Sequence, residues 1–442
     1  DHPLDIRAAP MPAPMPVTAT GAPDRPDLGP VTGEQVAVTN AAAWHAAGIT
    51  GAGVKIGVID FFDVERYWNP AEHGPLPVAG VTARCFAFGQ DCTATYFDSV
   101  SAVGDDHGVA VVEIIADMAP GAQIYIGTAA TLADYRALVD WFAARGVTIV
   151  SRSLSSGYDG PGDGRGGLDD LAAHANALGI TWVNSVGNSG FGRYYRQPVR
   201  LSGNRVTFGP TGSTTYLPFV GCAALGGVRW SNDWDTAPSD RTDYAVYLWD
   251  APAGSPAAGR LVAASTADQR DGAVPIEFFE QDHCPSDRNR VLYLEVRWVG
   301  GDITGDVLEI LDYASGLVAY TQAAYSASTS IADSALPGVL AVGAIDPADT
   351  GAIAAYSSQG PTNDERLAPD LSAPSGLSST VIRSGFSGTS ASAPVVAGGV
   401  ALLRSAGLAA DPASLGDLAR HLVVDRGAAG PDQQYGSGEF RL

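Results

Sequence analysis

The stretch FSGTSASAPVVAGGVALL, residues 386–403, decides the fold prediction. Hydroxyl side chains crowd its first half, and beyond Ser390 the apolar residues recur at helical spacing. Pro394 is best tolerated in the first turn of a helix, so we expect a helix that begins close to Ser390, with small residues that let it approach a sheet closely. A serine at a helix start lies beside unpaired backbone N–H groups. That position suits a helix cap and equally an enzyme nucleophile.

Short apolar strands alternate with helices on both sides of this stretch. The pattern predicts strands at 54–59, 123–127, 147–151, 180–186 and 339–344, and helices at 108–118, 131–144, 167–178 and 413–423. Such alternation is typical of an α/β fold, a parallel sheet with helices on both faces.

The alternation stops near residue 195. Six strand-like runs with turn residues between them follow: GGVRWSN, YAVYLWDA, RLVAAST, VPIEFFEQ, RVLYLEVRWVG and VLEILDY. We therefore expect an inserted all-β domain, sandwich or jelly-roll-like, that interrupts the α/β domain. The predicted organisation is a Pro/Ala-rich arm at 1–35, the α/β domain in two parts at 36–195 and 329–442, and the β domain at 196–328.

Charge and hydropathy exclude two kinds of partner. The chain has 442 residues, with 26 basic and 48 acidic side chains and a formal net charge of -22. Binding to phosphates requires a basic face, so no nucleic acid is expected as a partner. No run of 18 apolar residues occurs, so no membrane span is expected in this chain.

The chain contains four cysteines. An even number favours an oxidising compartment, and the expected disulfides join neighbours in sequence, Cys85 with Cys92 and Cys222 with Cys284. Four cysteines allow three connectivities, and four buried thiols remain the alternative.

A serine nucleophile needs a base, and the base needs a group that holds its tautomer. His107 opens a helix with an apolar stripe and is the candidate base, whereas His174 shares the stripe of its own helix and is typical of a core histidine. Asp60 ends the interior run VKIGVID, so it emerges at the carboxyl edge of the sheet, where α/β folds build their sites. Asp105 and Asp106 adjoin His107 in a loop typical of solvated acids.

A second donor for an oxyanion is expected from the strand ITWVNSVGNSG. It ends in the Gly-flanked Asn188, whose amide can project into the same cleft; a turn residue is the structural alternative. Asn184 lies inside the strand pattern and competes less well.

Four motifs, GVKIGVID, DDHGVAVVEIIADMAPGAQIYIG, WVNSVGNSG and FSGTSASAPVVAGGVALL, occur in the order Asp, His, Asn, Ser and together resemble the subtilisin-like serine proteases, or subtilases. The resemblance covers roughly residues 36–195 and 330–442. It implies that Ser390 is the nucleophile, His107 the general base and acid, and Asp60 the orienting carboxylate. Asn188, with the backbone N–H of Ser390, would form the oxyanion hole.

The resemblance implies a secreted endopeptidase, extracellular or at the cell surface, that acts on peptide or protein substrates. Ser153, Leu154 and Ser155 resemble the segment that pairs with an extended substrate, and Gly187 is included in this substrate-binding set. Pro337 falls where the family has a cis proline. No pro-domain of the usual size precedes residue 36, so the chain resembles a processed form.

The implied chemistry requires no cofactor. Structural calcium is common in the family, but no ligands can be placed here. The aspartates of the inserted domain at 233, 235, 240 and 243 do not follow a calcium-loop spacing, so we predict no metal site.

Departures from the family pattern surround the candidate site. Phe61 and Phe62 replace a small residue and a glycine, Val109 replaces a threonine, and Val395 replaces a histidine. Two other functions stay open. One is a catalytically silent subtilase fold that binds or regulates a partner, with the β insert, whose partner the sequence does not identify, as its working surface. The other is a sedolisin-type acid peptidase, which would need a Glu and Asp pair in place of the predicted His and Asp.

Overall fold

The computed structural model describes residues 6–8, 33–62, 81–91, 106–231, 233–279, 281–313, 316–317, 320–346, 351–382 and 384–442. Cys92 and Asp105 lie outside these ranges. The helices described are α1 (Gln35–Val38), α2 (Ala41–Ala46), α3 (His107–Met118), α4 (Leu132–Ala144), α5 (Gly167–Ala177), α6 (Thr389–Ser405) and α7 (Pro412–His421).

The strands follow the same chain order. They are β1 (Ile6–Ala8), β2 (Lys55–Ile59), β3 (Thr82–Ala87), β4 (Gln90–Asp91), β5 (Gln123–Ala129), β6 (Ile149–Arg152), β7 (Leu154–Ser156), β8 (Thr181–Ser185), β9 (Tyr194–Pro198), β10 (Leu201–Ser202), β11 (Arg205–Val206), β12 (Leu217–Phe219), β13 (Leu225–Trp230), β14 (Asp243–Pro252), β15 (Arg260–Ser265), β16 (Ile276–Glu277), β17 (Arg290–Gly300), β18 (Val307–Asp312), β19 (Val339–Ile345), β20 (Leu371–Pro374), β21 (Val423–Val424) and β22 (Glu439–Phe440).

The largest sheet has the strand order β21-β22-β20-β19-β8-β6-β2-β5-β3-β4, and only its two outermost pairs are antiparallel. At its centre β6 lies between β2 and β8, with Ile149 opposite both Ile56 and Thr181. Because these three strands are parallel, their carboxyl ends lie side by side at one edge of the sheet. The chain leaves that edge at Asp60, Ser153 and Val186.

Helices cover both faces of this sheet, because its strands are apolar on both sides. One face packs on α3 and α6, with Ile56 and Val58 of β2 in the shared core. The opposite face packs on α4 and α5 and includes Ile59 of the same strand. This arrangement confirms the predicted α/β class, and the predicted helices and strands of this part agree with the observed bounds within two residues.

Helix α6 begins at Thr389, one residue before the predicted start. The reasoning from Pro394 was wrong in one respect: the proline is the sixth residue of the helix and lies beyond its first turn. The small residues of this helix allow a neighbouring helix, as well as the sheet, to pack closely against it. A Cβ on Gly398 would lie 2.4 Å from Cβ of Met118 in α3, so only glycine permits this approach.

Two antiparallel sheets lie in the chain between β8 and β19. One has the order β10-β11-β17-β14-β15, with β12 also on β17, and the other has the order β16-β13-β18-β9. Their inner faces share one core, which includes Trp230 and Ile310 from one sheet and Tyr244 and Leu294 from the other. The extra sheets fit the predicted β insertion. The predicted domain boundaries stay a prediction, and strand β9 starts at Tyr194, two residues ahead of the expected border.

Two smaller predictions have different outcomes. Cys222 and Cys284 form a disulfide between positions 62 residues apart, whereas the expected Cys85–Cys92 pair involves a residue outside the described ranges. The expectation of a cis bond before Pro337 is wrong, since the cis peptide bonds of the described residues precede Pro361 and Pro369. None of the helices in the described ranges combines the length and apolarity needed to cross a bilayer.

Candidate active site

Asp60 and His107 meet where strand β2 ends and helix α3 begins. Nδ1 of His107 lies 2.6 Å from Oδ1 of Asp60, and both side chains are buried. The backbone N–H of Phe61 donates to the same carboxylate oxygen at 2.8 Å. An acceptor-only carboxylate requires the Nδ1 proton, so this contact selects the tautomer with its basic nitrogen at Nε2.

The two phenylalanines after Asp60 help to form this junction. The N–H of Gly108 donates to the Phe61 carbonyl at 2.9 Å, which ties the first turn of α3 to the end of β2. A Cβ on Gly108 would lie 2.6 Å from the Phe62 ring, so the missing side chain of Gly108 provides the space that Phe62 fills. The two residues that depart from the family pattern therefore pack on the start of α3, next to the contact between His107 and Asp60.

Ser390 is the second residue of α6 and exchanges two hydrogen bonds with Ser153, which follows β6. Ser390 Oγ donates to the Ser153 carbonyl at 3.1 Å, and Ser153 Oγ donates to the Ser390 carbonyl at 2.9 Å. The second bond has a local cause. Pro394, four residues along the helix, has no N–H to offer the Ser390 carbonyl, so an outside donor satisfies it.

An aromatic contact links the starts of α3 and α6. The rings of His107 and Phe386 are 5.1 Å apart at an interplanar angle of 88°, an edge-to-face arrangement. Phe386 is fully buried four residues before Ser390. The imidazole and the candidate serine therefore belong to one packed unit.

Asn188 lies beyond the carboxyl end of β8, on the same side of the sheet. Its Oδ1 accepts hydrogen bonds from the backbone N–H and the Oγ1 of Thr389, each at 3.0 Å. Since the amide oxygen faces Thr389, the amide NH2 points elsewhere. A Cβ on Gly388 would lie 3.1 Å from Nδ2, so glycine keeps that position open beside the donor.

The predicted substrate-binding segment is a strand. Leu154–Ser156 pairs antiparallel with Ile6–Ala8, with Arg7 opposite Ser155, and in the described part of the chain this is its one strand partner. Ser153 and Leu154 are buried and Ser155 is half-buried. The fourth predicted residue, Gly187, receives a hydrogen bond to its carbonyl from Ser358 and donates its N–H to Thr389.

The rival residues lie elsewhere. His174 is not a core residue: its Nε2 lies 2.6 Å from Oδ1 of Asp140 in a half-exposed pair between α5 and α4. Asn184 stays inside β8, where its Oδ1 accepts from Arg152 and Trp182.

Sequence reasoning missed two residues of the site. Thr389 orients the Asn188 amide, and Arg152 holds the predicted substrate-binding strand β7, donating to the Leu154 carbonyl at 2.9 Å and to Ser156 Oγ at 2.7 Å. The one available signal was the arginine that ends the short strand IVSR, because a fully buried guanidinium needs several acceptors.

An acidic group lies behind this segment, at the start of α5. Burial raises the pKa of Asp159 to about 6, although its carboxylate accepts a hydrogen bond from the N–H of Leu168. Burial and nearby carboxylates also raise two further pKa values: that of Asp169, which is repelled by Asp333 and Asp159, and that of Asp333, which is repelled by Asp159. Asp159 is thus occupied within the protein, beside Ser330, rather than directed at solvent.

Two of the inserted region's aspartates have partners within the protein. Asp233 accepts from the N–H of Thr242 at 2.7 Å, and Asp235 pairs with Arg165 at 2.6 Å. Within the described ranges, no three His, Cys, Asp or Glu side chains converge so that they could hold a metal ion.

Comparisons with known proteins agree with this fold. The model of a family described as the subtilase family matches residues 220–438, a range that contains Ser390 but not Asp60, His107 or Asn188. The structure of the Clostridium perfringens CspB protease is similar at 16% identity with a TM-score of 0.58, over 92% of this chain and 97% of that one. No curated protein matches the chain.

Two further solved structures match with lower TM-scores. The prenylagaramide maturation protease PagA gives 0.44 at 13% identity, over 91% of this chain and 95% of that one. A lanthipeptide protease gives 0.45 at 15% identity, over 92% of each chain.

Proposed function

Since the chain belongs to the subtilase family, a protease family, we propose that it is a serine endopeptidase that cleaves peptide bonds through an acyl-enzyme at Ser390. The observation that carries the proposal is the buried 2.6 Å contact between His107 Nδ1 and Asp60 Oδ1. It lies at the same sheet edge as Asn188, which accepts a hydrogen bond from Thr389, the residue before Ser390.

In the proposed reaction Ser390 Oγ attacks the substrate carbonyl carbon, and its proton passes to Nε2 of His107. Asp60 stabilises the imidazolium that forms. The same proton is then given to the leaving amine as the C–N bond breaks, which leaves an ester on Ser390. Water, deprotonated by His107, hydrolyses that ester and returns the serine. Protein groups supply every step, so the chemistry needs no cofactor.

The proposed oxyanion hole consists of the Asn188 amide and the backbone N–H of Ser390. The first N–H groups of a helix lack intrahelical acceptors and carry the positive end of its dipole, so α6 suits a developing negative charge. The Thr389 contacts to Oδ1 support this role, because they leave Nδ2 as the donating side of the amide.

We propose that the substrate is an extended peptide that adds to strand β7. The antiparallel pairing of Ile6–Ala8 with Leu154–Ser156 supports this, because it demonstrates that the edge accepts a strand. Leu154, which is buried, and Ser155, which is half-buried, belong to this strand and lie beside the proposed nucleophile.

A fluorophosphonate probe tests the proposal. We expect wild-type protein to be labelled at Ser390, as located by mass spectrometry of the modified peptide, and Ser390→Ala to be unlabelled and to lose peptide hydrolysis by on the order of 10⁶-fold. Ser392→Ala is the matched control, because that serine lies two residues along the same helix and donates to the Pro374 carbonyl. Folded wild-type protein that resists the probe would favour the silent binding protein instead.

A pH profile separates the remaining alternative. The Asp60–His107 contact argues against a sedolisin-type acid peptidase, whose base would be a carboxylate. We expect peptide hydrolysis to be faster at neutral pH than at pH 4. A maximum near pH 4 would reverse this assignment.

We also propose that the protein acts outside the cell or at its surface. The Cys222–Cys284 disulfide supports an oxidising compartment. Immunoblots of culture medium, cell surface and cytoplasm would test this, and protein found solely in the cytoplasm would contradict it.

A further inference from the structure

The inserted sheets contact the catalytic part directly behind the substrate strand. The chain leaves β7 at Gly157, and the next N–H, of Tyr158, donates to the Gly226 carbonyl of β13 at 2.9 Å. The two chains are so close that a Cβ on Gly157 would lie 2.7 Å from that carbonyl oxygen. The end of the substrate strand is thus attached to β13 of the inserted sheets.

Arg229, three residues further along β13, reaches the same loop with its side chain. Its Nη1 donates to the Gly160 carbonyl at 3.0 Å, and its guanidinium lies over the Tyr158 ring at 3.9 Å. Its Nη2 donates to the Ser328 carbonyl at 2.6 Å, at the last residue of the predicted β domain. One planar group therefore joins the loop after the substrate strand to β13 and to the C-terminal end of the predicted β domain.

Burial makes this arrangement specific. Arg229 is 2% exposed and its partner Glu309, on β18, is 1% exposed. Glu309 Oε2 accepts from Nε and Nη2 of the arginine at 2.8 and 2.5 Å. A buried ion pair stabilises a protein only with good geometry and further hydrogen bonds. Here the further acceptors of the guanidinium are the Gly160 carbonyl, in the loop after the substrate strand, and the Ser328 carbonyl.

The partner carboxylate holds the loop as well. Oε1 of Glu309 accepts from Nδ2 of Asn363 at 2.6 Å, and the same nitrogen donates to the Pro161 carbonyl at 2.8 Å. Consecutive carbonyls of the loop, at Gly160 and Pro161, are therefore fixed by one buried network based on β13 and β18.

We propose that Arg229 is a positioning residue for the extended substrate: acting through Tyr158 and Gly160, it holds strand β7 in the conformation to which a peptide adds. The inserted β region then serves as a brace for the substrate-binding edge. This inference rests on the proposed peptidase function and goes beyond it, since it assigns a role to the insertion.

The decisive variant is Arg229→Lys, which keeps a buried cation beside Glu309 but lacks the fork that reaches Gly160 and Ser328 together. We expect KM for peptides that extend several residues on the acyl side to rise roughly tenfold, with kcat nearly unchanged. Hydrolysis of a single-residue ester and fluorophosphonate labelling of Ser390 should stay at wild-type rates, because neither depends on β7.

Arg297→Lys is the matched control. Arg297 pairs with Glu295 at 2.8 Å and lies over the Tyr247 ring at 4.4 Å, the same three residue types within the inserted sheets. We expect it to leave KM unchanged. Equal KM values for both variants, or an equal loss of ester hydrolysis and of peptide hydrolysis in Arg229→Lys, would overturn the positioning role.

A binding measurement keeps this result separate from catalysis. In a Ser390→Ala background we expect Arg229→Lys to weaken the binding of fluorescent decapeptides roughly tenfold, as followed by anisotropy, while Arg297→Lys does not. If wild-type protein failed to react with fluorophosphonate, the peptidase proposal would fall, and this binding comparison would still decide the role of Arg229.

Discussion

Asn188 offers the sharpest test at the scale of single residues. Asn188→Ala removes one of the two proposed oxyanion donors without altering strand β7, so kcat should fall by about 10²–10³ while KM changes little. Steady-state kinetics on a peptide substrate measure this. Asn184→Ala is the control. Asn184 is a buried asparagine of the same strand region, its side chain faces Arg152, and its replacement should not lower kcat alone. A change confined to KM would mean that Asn188 binds the ground state.

The sequence predicted those site residues that end a strand or open a helix. Asp60, His107, Asn188 and Ser390 each follow a recognisable local pattern, and parallel strands bring such positions to one edge. Thr389 and Arg152 were not predicted, because each acts through a side-chain hydrogen bond to a residue distant in sequence or across the strand end. Local periodicity carries no information on such partners.

At the scale of elements, strand β1 and the proposed substrate strand would pair with the same edge of β7. The edge of Leu154–Ser156 is paired with Ile6–Ala8, so an extended peptide must displace that pairing. Arg7→Pro removes a backbone N–H and disfavours the pairing. We expect KM for peptides to fall about fivefold and kcat to stay unchanged. The fivefold change corresponds to the loss of one hydrogen bond of ~1 kcal/mol between β1 and β7.

Thr18→Pro, elsewhere in the N-terminal arm, is the control for this prediction and should leave KM unaltered. The synthetic peptide DIRAAPMP should inhibit the Arg7→Pro enzyme competitively. Identical KM values for wild type and Arg7→Pro would exclude competition by β1.

Long apolar elements were predicted well and short polar ones were not. The helices and strands of the parallel sheet carry clear periodicity, so their bounds agree closely with the structure. Strands β9 to β12 have two to five residues each and lie among glycines, prolines and arginines, too short for any period to emerge. Pairing supplies their strand conformation: β9 pairs with the longer β18, β11 and β12 pair with the long β17, and β10 pairs with β11.

For the whole molecule, the acids near α5 predict how stability depends on pH. Burial and the charges of Asp333 and Asp159 raise the pKa of Asp169, and the charge of Arg366 opposes this rise. A carboxyl whose pKa is raised on folding holds its proton longer in the native state, so the protein loses stability as the pH rises above about 4. We expect Asp169→Asn to raise the free energy of unfolding at pH 8 by about 1 kcal/mol or more, with a smaller gain at pH 5, where less of the loss has accumulated.

Urea unfolding at both pH values measures this effect. Asp170→Asn is the control, because it removes the same charge from an exposed position one residue further along the same helix turn. Equal shifts for the two variants at pH 8 would mean that general charge repulsion, rather than the buried group, governs the dependence.

The place of the inserted sheets in the chain has a consequence for folding. Strands β8 and β19 are neighbours in the parallel sheet, yet residues 186–338 separate them. Strands β9 and β18 pair near the two ends of that interval, and Leu317 N–H donates to the Gly192 carbonyl at 2.7 Å. Loop-closure entropy grows with the logarithm of loop length, so prior folding of the insertion lowers the cost of joining β8 to β19 by about 1 kcal/mol. The insertion makes the connection between β8 and β19 longer in sequence, but once folded it lowers the entropic cost of closing that connection.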